Sequence, residues 1–301
     1  MKKIILAIAL AAAPAGYAQN PALYECIYQY DVNGKTEKGD ISDTFNCMLQ
    51  IGEENSKFLD YAAFQLDSVS AIKGISDDVI KEYEERDMNA VPYFDRRMFN
   101  SSADNKLMTI SPMAPFTYKY EEKTPLIEWE LADETQTVCG YECKKAQGEY
   151  GGRLWTAWYA EEIPVPFGPW KLTGLPGLVL QAYDSDNIHR FVAVSFREGS
   201  GDVSPDKIPN LVKINHKDFE ERKALYDNNP MESINPSDIE SISVRKGDTN
   251  NILVNGTLIR NLGKGSIPLE VVEIKEKDSK SVNGEKSKDD IIVVRTGSKI
   301  K

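Results

Sequence analysis

The sequence is poor in the residues and motifs from which most catalytic sites are built. Its 301 residues contain only two histidines, His189 and His216, and neither lies in a recognisable motif. Serine-nucleophile motifs of the GxSxG type, HExxH metal motifs and phosphate-binding loops are absent. We therefore expect a protein that is not an enzyme and that holds no cofactor and no metal ion.

Positive charge is also scarce. The chain carries 36 Lys and Arg residues against 47 Asp and Glu residues, which gives a formal net charge of −11. The basic residues are scattered among acidic ones and form no stripe along the chain. Binding to nucleic acid is therefore excluded as an expected function.

Long apolar runs are missing except at the N-terminus. There, two lysines precede an apolar run at residues 4–13, which is too short to span a bilayer, and Gly16 and Ala18 suit a small-residue cleavage site. We predict that residues 1–18 are a signal peptide cleaved near Ala18; a retained membrane anchor is the alternative. The mature chain should then be exported, periplasmic or associated with the outer membrane, and without a transmembrane span.

The cysteines are few, and all follow the predicted cleavage site. An even number in an exported chain suggests two disulfides, for which three connectivities exist. The four residues are Cys26, Cys47, Cys139 and Cys143.

Geometry narrows the choice of disulfide pairing. A Cys139–Cys143 bond is excluded if these residues form one strand, since its ends would lie roughly 13 Å apart, but a turn at Gly140 would allow it. A Cys26–Cys47 bond needs a hairpin centred near Thr36, whereas a tight turn at Gly34 would place Cys26 opposite Ile41. We predict the pairs Cys26–Cys47 and Cys139–Cys143.

Alternation of apolar and polar residues with a period of two predicts many strands and few helices. Predicted strands cover 22–32, 43–51, 135–146, 153–161, 176–184, 188–197, 239–245, 251–259, 269–275 and 291–296, with further candidates in 106–133. Predicted helices cover 76–88 and 215–227, and 57–73 fits either state. This order predicts a β-dominated α+β fold, with a curved antiparallel meander sheet and one or two covering helices.

The central segment 139–187 is dense in tryptophan and proline. Pro164, Pro166 and Pro169 remove backbone donors, so residues 163–170 cannot lie inside the sheet and must cross one of its edges or ends. Four large aromatic residues lie in or near this proline-rich stretch: Trp155, Trp158, Tyr159 and Trp170. They either pack the core or line a groove that contacts an apolar or peptide ligand or a partner.

Two further site candidates involve the predicted turn at residues 184–187. Residues 184–187 are spaced like calcium ligands but lack the distal Glu, so an Asx-rich hairpin turn is the better interpretation. A hydrolase would require Glu162, Asp184 and His189 to converge in one cleft.

The central segment resembles the GLPGLI family of exported Bacteroidetes proteins, of the Porph_ging type. The name motif corresponds to Gly174-Leu175-Pro176-Gly177-Leu178-Val179, where the family ends in Ile. Flanking matches are Gly140-Tyr141, residues 143–146, Gly152-Arg153, residues 157–159, Ile163-Pro164, Gly168-Pro169 and Asp184. The resemblance implies an envelope protein of undefined activity, with a β-rich domain over residues 19–230 and a structural role for these motif residues.

The tail resembles the plug domain of TonB-dependent outer-membrane receptors. The matching stretches are residues 252–256, 271–275 and 283–296, although Asp290 replaces the usual Gly and no barrel follows. The resemblance implies a small plug-like module over 231–301 and an outer-membrane receptor or other envelope protein as partner. A generic β-rich tail is the alternative.

Three functions remain open on this evidence. The expected one is a non-enzymatic binding or accessory protein of the envelope, for an apolar or peptide ligand or for TonB-dependent transport. The alternatives are an envelope hydrolase of unknown type and a structural or assembly protein without a ligand.

Overall fold

The computed structural model describes residues 20–36, 38–89, 94–205, 208, 211–244, 252–255, 257–259 and 267–270. The predicted signal peptide and most of the predicted plug-like module lie outside these ranges.

Strands dominate the described chain. In chain order they are β1 (Tyr24–Thr36), β2 (Gly39–Ile51), β3 (Asn55–Asp60), β4 (Arg97–Ser101), β5 (Lys106–Met113), β6 (Phe116–Lys123), β7 (Glu130–Val138), β8 (Tyr141–Tyr150), β9 (Arg153–Ala160), β10 (Leu178–Asp184), β11 (His189–Glu198), β12 (Leu211–Lys213), β13 (Ile242–Val244), β14 (Ile252–Val254) and β15 (Thr257–Ile259). The helices are α1 (Tyr61–Ser70), α2 (Asp77–Asn89), α3 (His216–Asn228) and α4 (Pro230–Ser233). No helix among these residues is both long and apolar enough to cross a bilayer.

Twelve of the strands form one sheet. Its order is β12-β6-β5-β4-β3-β2-β1-β11-β10-β9-β8-β7, so two meanders, β1 to β6 and β7 to β11, meet where β1 pairs with β11. The pairs are antiparallel except for β12 with β6. The predicted β-dominated fold is confirmed, while the predicted curvature of the sheet stays a prediction.

The ambiguous stretch 57–73 is a strand followed by a helix. β3 ends at Asp60, whose carboxylate accepts hydrogen bonds from the N–H groups of Ala62 (2.8 Å) and Ala63 (3.4 Å). These bonds satisfy donors at the first turn of α1 that have no partner within the helix. The mixed hydrophobic periodicity of residues 57–73 therefore reflects a strand and a helix that are joined by Asp60, the N-cap of the helix.

The main core lies on one face of the sheet and is covered by a segment without helix or strand. Tyr28, Tyr30 and Phe191 point into it together with side chains from residues 163–177. Helix α1 packs on the opposite face, through Phe64 against Met48 and Leu59. Over residues 163–170, three prolines prevent regular pairing, and the apolar residues between them fill the interior. Helix α3 packs farther along the core face, where the Phe219 ring lies 4.7 Å from the ring of Tyr120 in β6.

The tail strands β13 to β15 lie near β5 and β6 of the main sheet. β13, β14 and β15 form a three-stranded antiparallel sheet. Val254 and Ile259 pack in one cluster with Tyr118 of β6 and Phe219 of α3. The domain boundary at residue 230 and the likeness of the tail to a receptor plug stay predictions.

Candidate functional site

Strand register brings three parts of the chain to one end of the sheet, where a fourth part contacts them. Asp184 pairs with Trp155, two residues after Arg153, and His189 pairs with Val32, two residues before Gly34. The end of β1, the β8–β9 turn and the β10–β11 turn therefore lie side by side. Between them lies a piece of the distant tail, Ile267–Glu270, which we call the docked segment.

A buried ion pair organises this end of the sheet. Asp184 is 1% exposed, and its Oδ2 lies 2.6 Å from Arg153 Nη1. Its Oδ1 accepts a hydrogen bond from the His189 backbone N–H at 2.9 Å. A buried carboxylate needs such partners, and here they also orient the guanidinium and the start of β11.

His189 is buried and makes one hydrogen bond with each ring nitrogen. Its Nε2 lies 3.2 Å from the Pro268 carbonyl oxygen, and its Nδ1 lies 2.8 Å from the Tyr30 hydroxyl. Because a carbonyl oxygen only accepts, Nε2 carries the proton and Nδ1 accepts from Tyr30. Burial, with Arg153 nearby, lowers the pKa of His189 to about 3, so the ring is neutral.

Arg153 binds the docked segment through its main chain. Nη2 donates to the Pro268 carbonyl at 3.0 Å, and Nε donates to the Leu269 carbonyl at 3.3 Å. The side chains of Ile267 and Leu269 pack against the edge of the main core. The segment is thus held by two consecutive carbonyl groups and two apolar side chains.

The last residue of the segment reaches a second, charged cluster. The Glu270 carboxylate contacts Lys171 Nζ, and its Oε2 lies 3.2 Å from His216 Nε2. Lys171 is fully buried and also contacts Glu122, with Nζ 2.6 Å from Oε1. Burial by itself lowers the pKa of Lys171, but Tyr120 and Glu270 outweigh burial and raise it above its usual value, so the amine stays protonated.

His216 is the first residue of α3 and faces three carboxylates. Asn215 caps the helix, its Oδ1 accepting from the Asp218 N–H at 2.9 Å, and this places the imidazole at the cluster. Its nitrogens lie 3.2 Å from Glu122 and 3.5 Å from Glu220, in addition to the Glu270 contact. Burial lowers the pKa of His216, but bonds with Glu220 and Glu270 outweigh that and raise it to about 9.

Three cations and three carboxylates make direct contacts in this cluster. Arg96 binds Glu220 with both terminal nitrogens, at 2.7 and 2.9 Å. The cations are Arg96, Lys171 and protonated His216, and the carboxylates are those of Glu122, Glu220 and Glu270. Without Glu270, Lys171 and His216 would each lose one contacting carboxylate.

Two glycines leave room for the docked segment. A Cβ on Gly34 would lie 2.5 Å from Ile267 Cδ1. A Cβ on Gly151 would lie 3.1 Å from Glu270 Cγ and 3.4 Å from the Leu269 oxygen, and Gly151 also has a φ of +62°. The segment therefore sits in a depression that side chains at these positions would narrow.

The predicted aromatic contacts lie mainly in the core. Trp155, Tyr159 and Trp170 are buried, and the Trp155 and Trp170 rings are 5.6 Å apart. Trp158 is half-buried and lies on the opposite face of β9. Their positions favour packing, and ligand contact by these four residues stays a prediction.

The motif glycines lie where the backbone approaches itself closely. A Cβ on Gly177 would lie 2.2 Å from the Ala160 carbonyl oxygen, and one on Gly168 would lie 2.3 Å from the Leu172 oxygen. Gly174 has a φ of +93°. Of the other motif residues, Ile163, Pro169, Leu175 and Leu178 are buried, while Pro164 and Pro176 are exposed. This geometry supports the structural role that the sequence suggested.

Neither predicted disulfide is present, because all four cysteines are free thiols. The β1–β2 hairpin pairs Thr36 with Gly39, which places Cys26 opposite Leu49 and Cys47 opposite Tyr28. A shift of one residue from the expected centre therefore separates these two cysteines.

The second predicted pair lies at the β7–β8 turn. The expected turn is there, with Cys139 at a φ of 50° and Gly140 at 87°, but Cys143 lies opposite Gln136. Burial raises the pKa of Cys143 to about 11, so this thiol is protonated at neutral pH.

The three hydrolase candidates do not converge. Asp184 and His189 are neighbours, but Glu162 follows β9 at the far end of β10, where Leu178 pairs with Ala160. Six residues of extended chain separate Leu178 from Asp184, which corresponds to roughly 20 Å. The Asn187 turn (φ 52°) matches the hairpin turn predicted in place of a calcium loop.

Sequence reasoning missed the residues that hold the docked segment. Arg153 was noted only as part of a family motif, and Lys171, His216 and Glu270 were given no role. A signal existed for Lys171, the one charged residue between Ile163 and Val179. Nothing local marks Glu270, because its partners are far away in the chain.

The chain is thus a β-rich protein with a segment of its own tail bound at the end of the sheet. A family model described as "Protein of unknown function (Porph_ging)" matches residues 152–181, which supports the resemblance to the GLPGLI family. The matched stretch contains Arg153, Lys171 and the motif glycines.

The chain is also similar to two solved structures of PNGF-II. Both are 16% identical in sequence, with TM-scores of 0.47 and 0.45. The similarity covers 76% of this chain but 36% of the PNGF-II chain, so this chain spans about a third of that protein's length. No curated protein matches the chain.

Proposed function

We propose that this is a non-enzymatic binding protein of the cell envelope whose site takes an extended peptide at the end of the sheet formed by β1, β9, β10 and β11. The observation that carries the proposal is the pair of main-chain carbonyls, Pro268 and Leu269, held by Arg153 and His189. Peptide carbonyls are available in any peptide, so a partner segment in the same conformation would meet the same donors.

The donors are positioned before a peptide arrives. Asp184 orients the Arg153 guanidinium, and the Tyr30 hydroxyl sets the tautomer of His189. Donors held by buried partners lose little side-chain entropy on binding, which favours affinity. Arginine suits this task because its planar fork reaches two acceptors at once.

Peptide binding is tested with the full mature chain in which residues 267–270 are replaced by Gly-Ser-Gly-Ser. A fluorescent Ser-Ile-Pro-Leu-Glu-Val peptide should bind this opened variant, as measured by fluorescence anisotropy. Arg153→Lys keeps the charge beside Asp184 but removes the fork, and should weaken binding by about tenfold or more. The matched control is Arg190→Lys, an exposed arginine of β11. Equal binding by Arg153→Lys and the control would contradict the proposal.

The cellular address belongs to the same proposal. Its support is the signal-like N-terminus and the resemblance to exported proteins. Intact-mass analysis of the protein from the envelope fraction should give a mature chain that begins near Gln19; an unprocessed chain in the cytosol would refute it.

A role beside TonB-dependent receptors is the second part, supported by the tail resemblance alone. Crosslinking in cells should capture an outer-membrane receptor with the full chain. If deletion of residues 232–301 leaves every crosslinked partner unchanged, the tail has no such role.

A further inference from the structure

The docked segment is bound by its side chains as well as by its backbone. Glu270 is 9% exposed and contacts Lys171, a lysine with no exposed surface, and His216. Burying an acid there is favourable only because two cations and the Arg96–Glu220 pair compensate the charge. The pocket is therefore built for a carboxylate at the fourth position of the segment.

The remaining positions impose further chemistry. Ile267 lies over Gly34 and Leu269 packs on the core edge, so both favour apolar side chains. Pro268 is exposed, and its carbonyl receives two of the donated bonds. A proline fits because the contacts to this residue require no N–H group.

On the basis of the proposed peptide-binding function, we infer that the ligand is an acidic peptide of the pattern apolar–Pro–apolar–acid, and that the segment Ile267–Glu270 is an internal copy of this ligand that occupies the site until a partner displaces it. The pocket of Lys171 and His216 selects the acid. The carbonyl contacts of Arg153 and His189 hold the backbone.

An internal ligand competes strongly because it is tethered. A segment in the same chain acts at an effective concentration in the mM range, so a free peptide of equal intrinsic affinity competes poorly. Weakening the Glu270 contact should therefore open the site to added peptide. A partner gains access either by higher affinity or by multivalent attachment.

The test compares the full mature chain with its Glu270→Gln variant. The Ser-Ile-Pro-Leu-Glu-Val peptide, capped at both ends, should bind the variant at least about tenfold more tightly than it binds the natural chain, because the internal competitor is weakened. A capped peptide with Gln in place of Glu should bind the variant about tenfold or more weakly than the Glu peptide. Lys171→Met in the Glu270→Gln background should abolish this difference.

A third peptide, which ends at Leu with a free carboxylate, separates a side-chain acid from a chain terminus. If it binds as tightly as the Glu peptide, the assignment of the pocket to a side-chain acid is overturned. Equal binding of the Glu and Gln peptides by Glu270→Gln overturns the acidic preference but leaves peptide binding standing. If no peptide binds to any variant, including the opened one, the proposed function itself fails. Since Lys171→Met risks misfolding, the comparison of Glu and Gln peptides on Glu270→Gln alone decides the question.

Discussion

The two histidines of the chain hold the same segment in different ways. His189 is neutral, lies at the end of the β-sheet and donates to a main-chain carbonyl. His216 is charged at neutral pH, starts a helix and contacts a side-chain carboxylate. The difference follows from their neighbours: Arg153 stands beside the first and three carboxylates surround the second. One imidazole therefore contacts the backbone of the docked segment, and the other contacts its acidic side chain.

The largest effect on stability is expected from substitution of Asp184, which holds Arg153 and the start of β11 in place. Asp184→Ala leaves Arg153 buried without its carboxylate and removes the acceptor of the His189 N–H. We expect a loss of about 3–5 kcal/mol in the free energy of unfolding, measured by urea denaturation. The matched control is Asp186→Ala, an exposed residue of the same turn, which should change stability by less than about 0.5 kcal/mol. Similar losses for both variants would refute this account of the ion pair.

Low pH should lower the free energy of unfolding through His189. Its pKa is about 3 in the folded chain against 6.5 ordinarily, so the unfolded chain binds the proton more readily. The stabilisation by the neutral ring is complete above pH 6.5 and is lost as the pH falls toward 3, at ~1.4 kcal/mol per pH unit. The groups that face this ring are Arg153, Asp184 and Tyr30.

His189→Gln isolates this contribution because it keeps a donor but does not titrate. The difference in unfolding free energy between natural chain and variant should shrink steadily as the pH is lowered from 6.5. A difference that stays constant with pH would show that His189 is not held neutral.

High pH should lower the free energy of unfolding through His216, by a smaller amount than low pH does through His189. Its pKa is raised to about 9, so its stabilisation is complete below pH 6.5 and is lost as the pH rises through about 9. Glu122, Glu220, Glu270 and Lys171 face the ring, and Tyr120 stacks on it at 4.8 Å. Because the side chain is 30% exposed, we expect a total of between about 1 and 3 kcal/mol.

This prediction is tested by measuring the free energy of unfolding of the natural chain and of His216→Gln between pH 6.5 and about 9. The natural chain should lose stability relative to the variant as the pH approaches 9. Parallel curves would contradict the charged state of His216. Together, the acid and alkaline series determine whether the two ends of the docked segment titrate separately.

Much of the fold could be predicted from local patterns. Alternation at 22–32 and 43–51 located β1 and β2, and the Asn215 cap located α3 within one residue. Local patterns did not determine register: the hairpin centre differed from expectation by one residue, which placed Cys26 opposite Leu49. A period of two identifies the faces of a strand but not its partner residue.

The candidate site could be predicted only in part. The sequence indicates His189 only as one of three hydrolase candidates, and it does not predict the contact with Pro268, which is 79 residues away. Lys171 and Glu270 meet only after the sheet and the Pro-rich segment have formed. Such a contact depends on tertiary packing, and neither residue carries a sequence pattern that encodes it.

The residue at the centre of the docked segment is an imino acid, and this has a practical consequence. Pro268 is a natural N-alkylated residue whose carbonyl accepts from both Arg153 and His189. Synthetic ligands bearing an N-methyl or other N-substituted glycine unit at this position retain the acceptor that the site uses. Because an N-substituted peptide bond resists proteolysis, peptidomimetics of this kind are suitable probes for testing the proposed site.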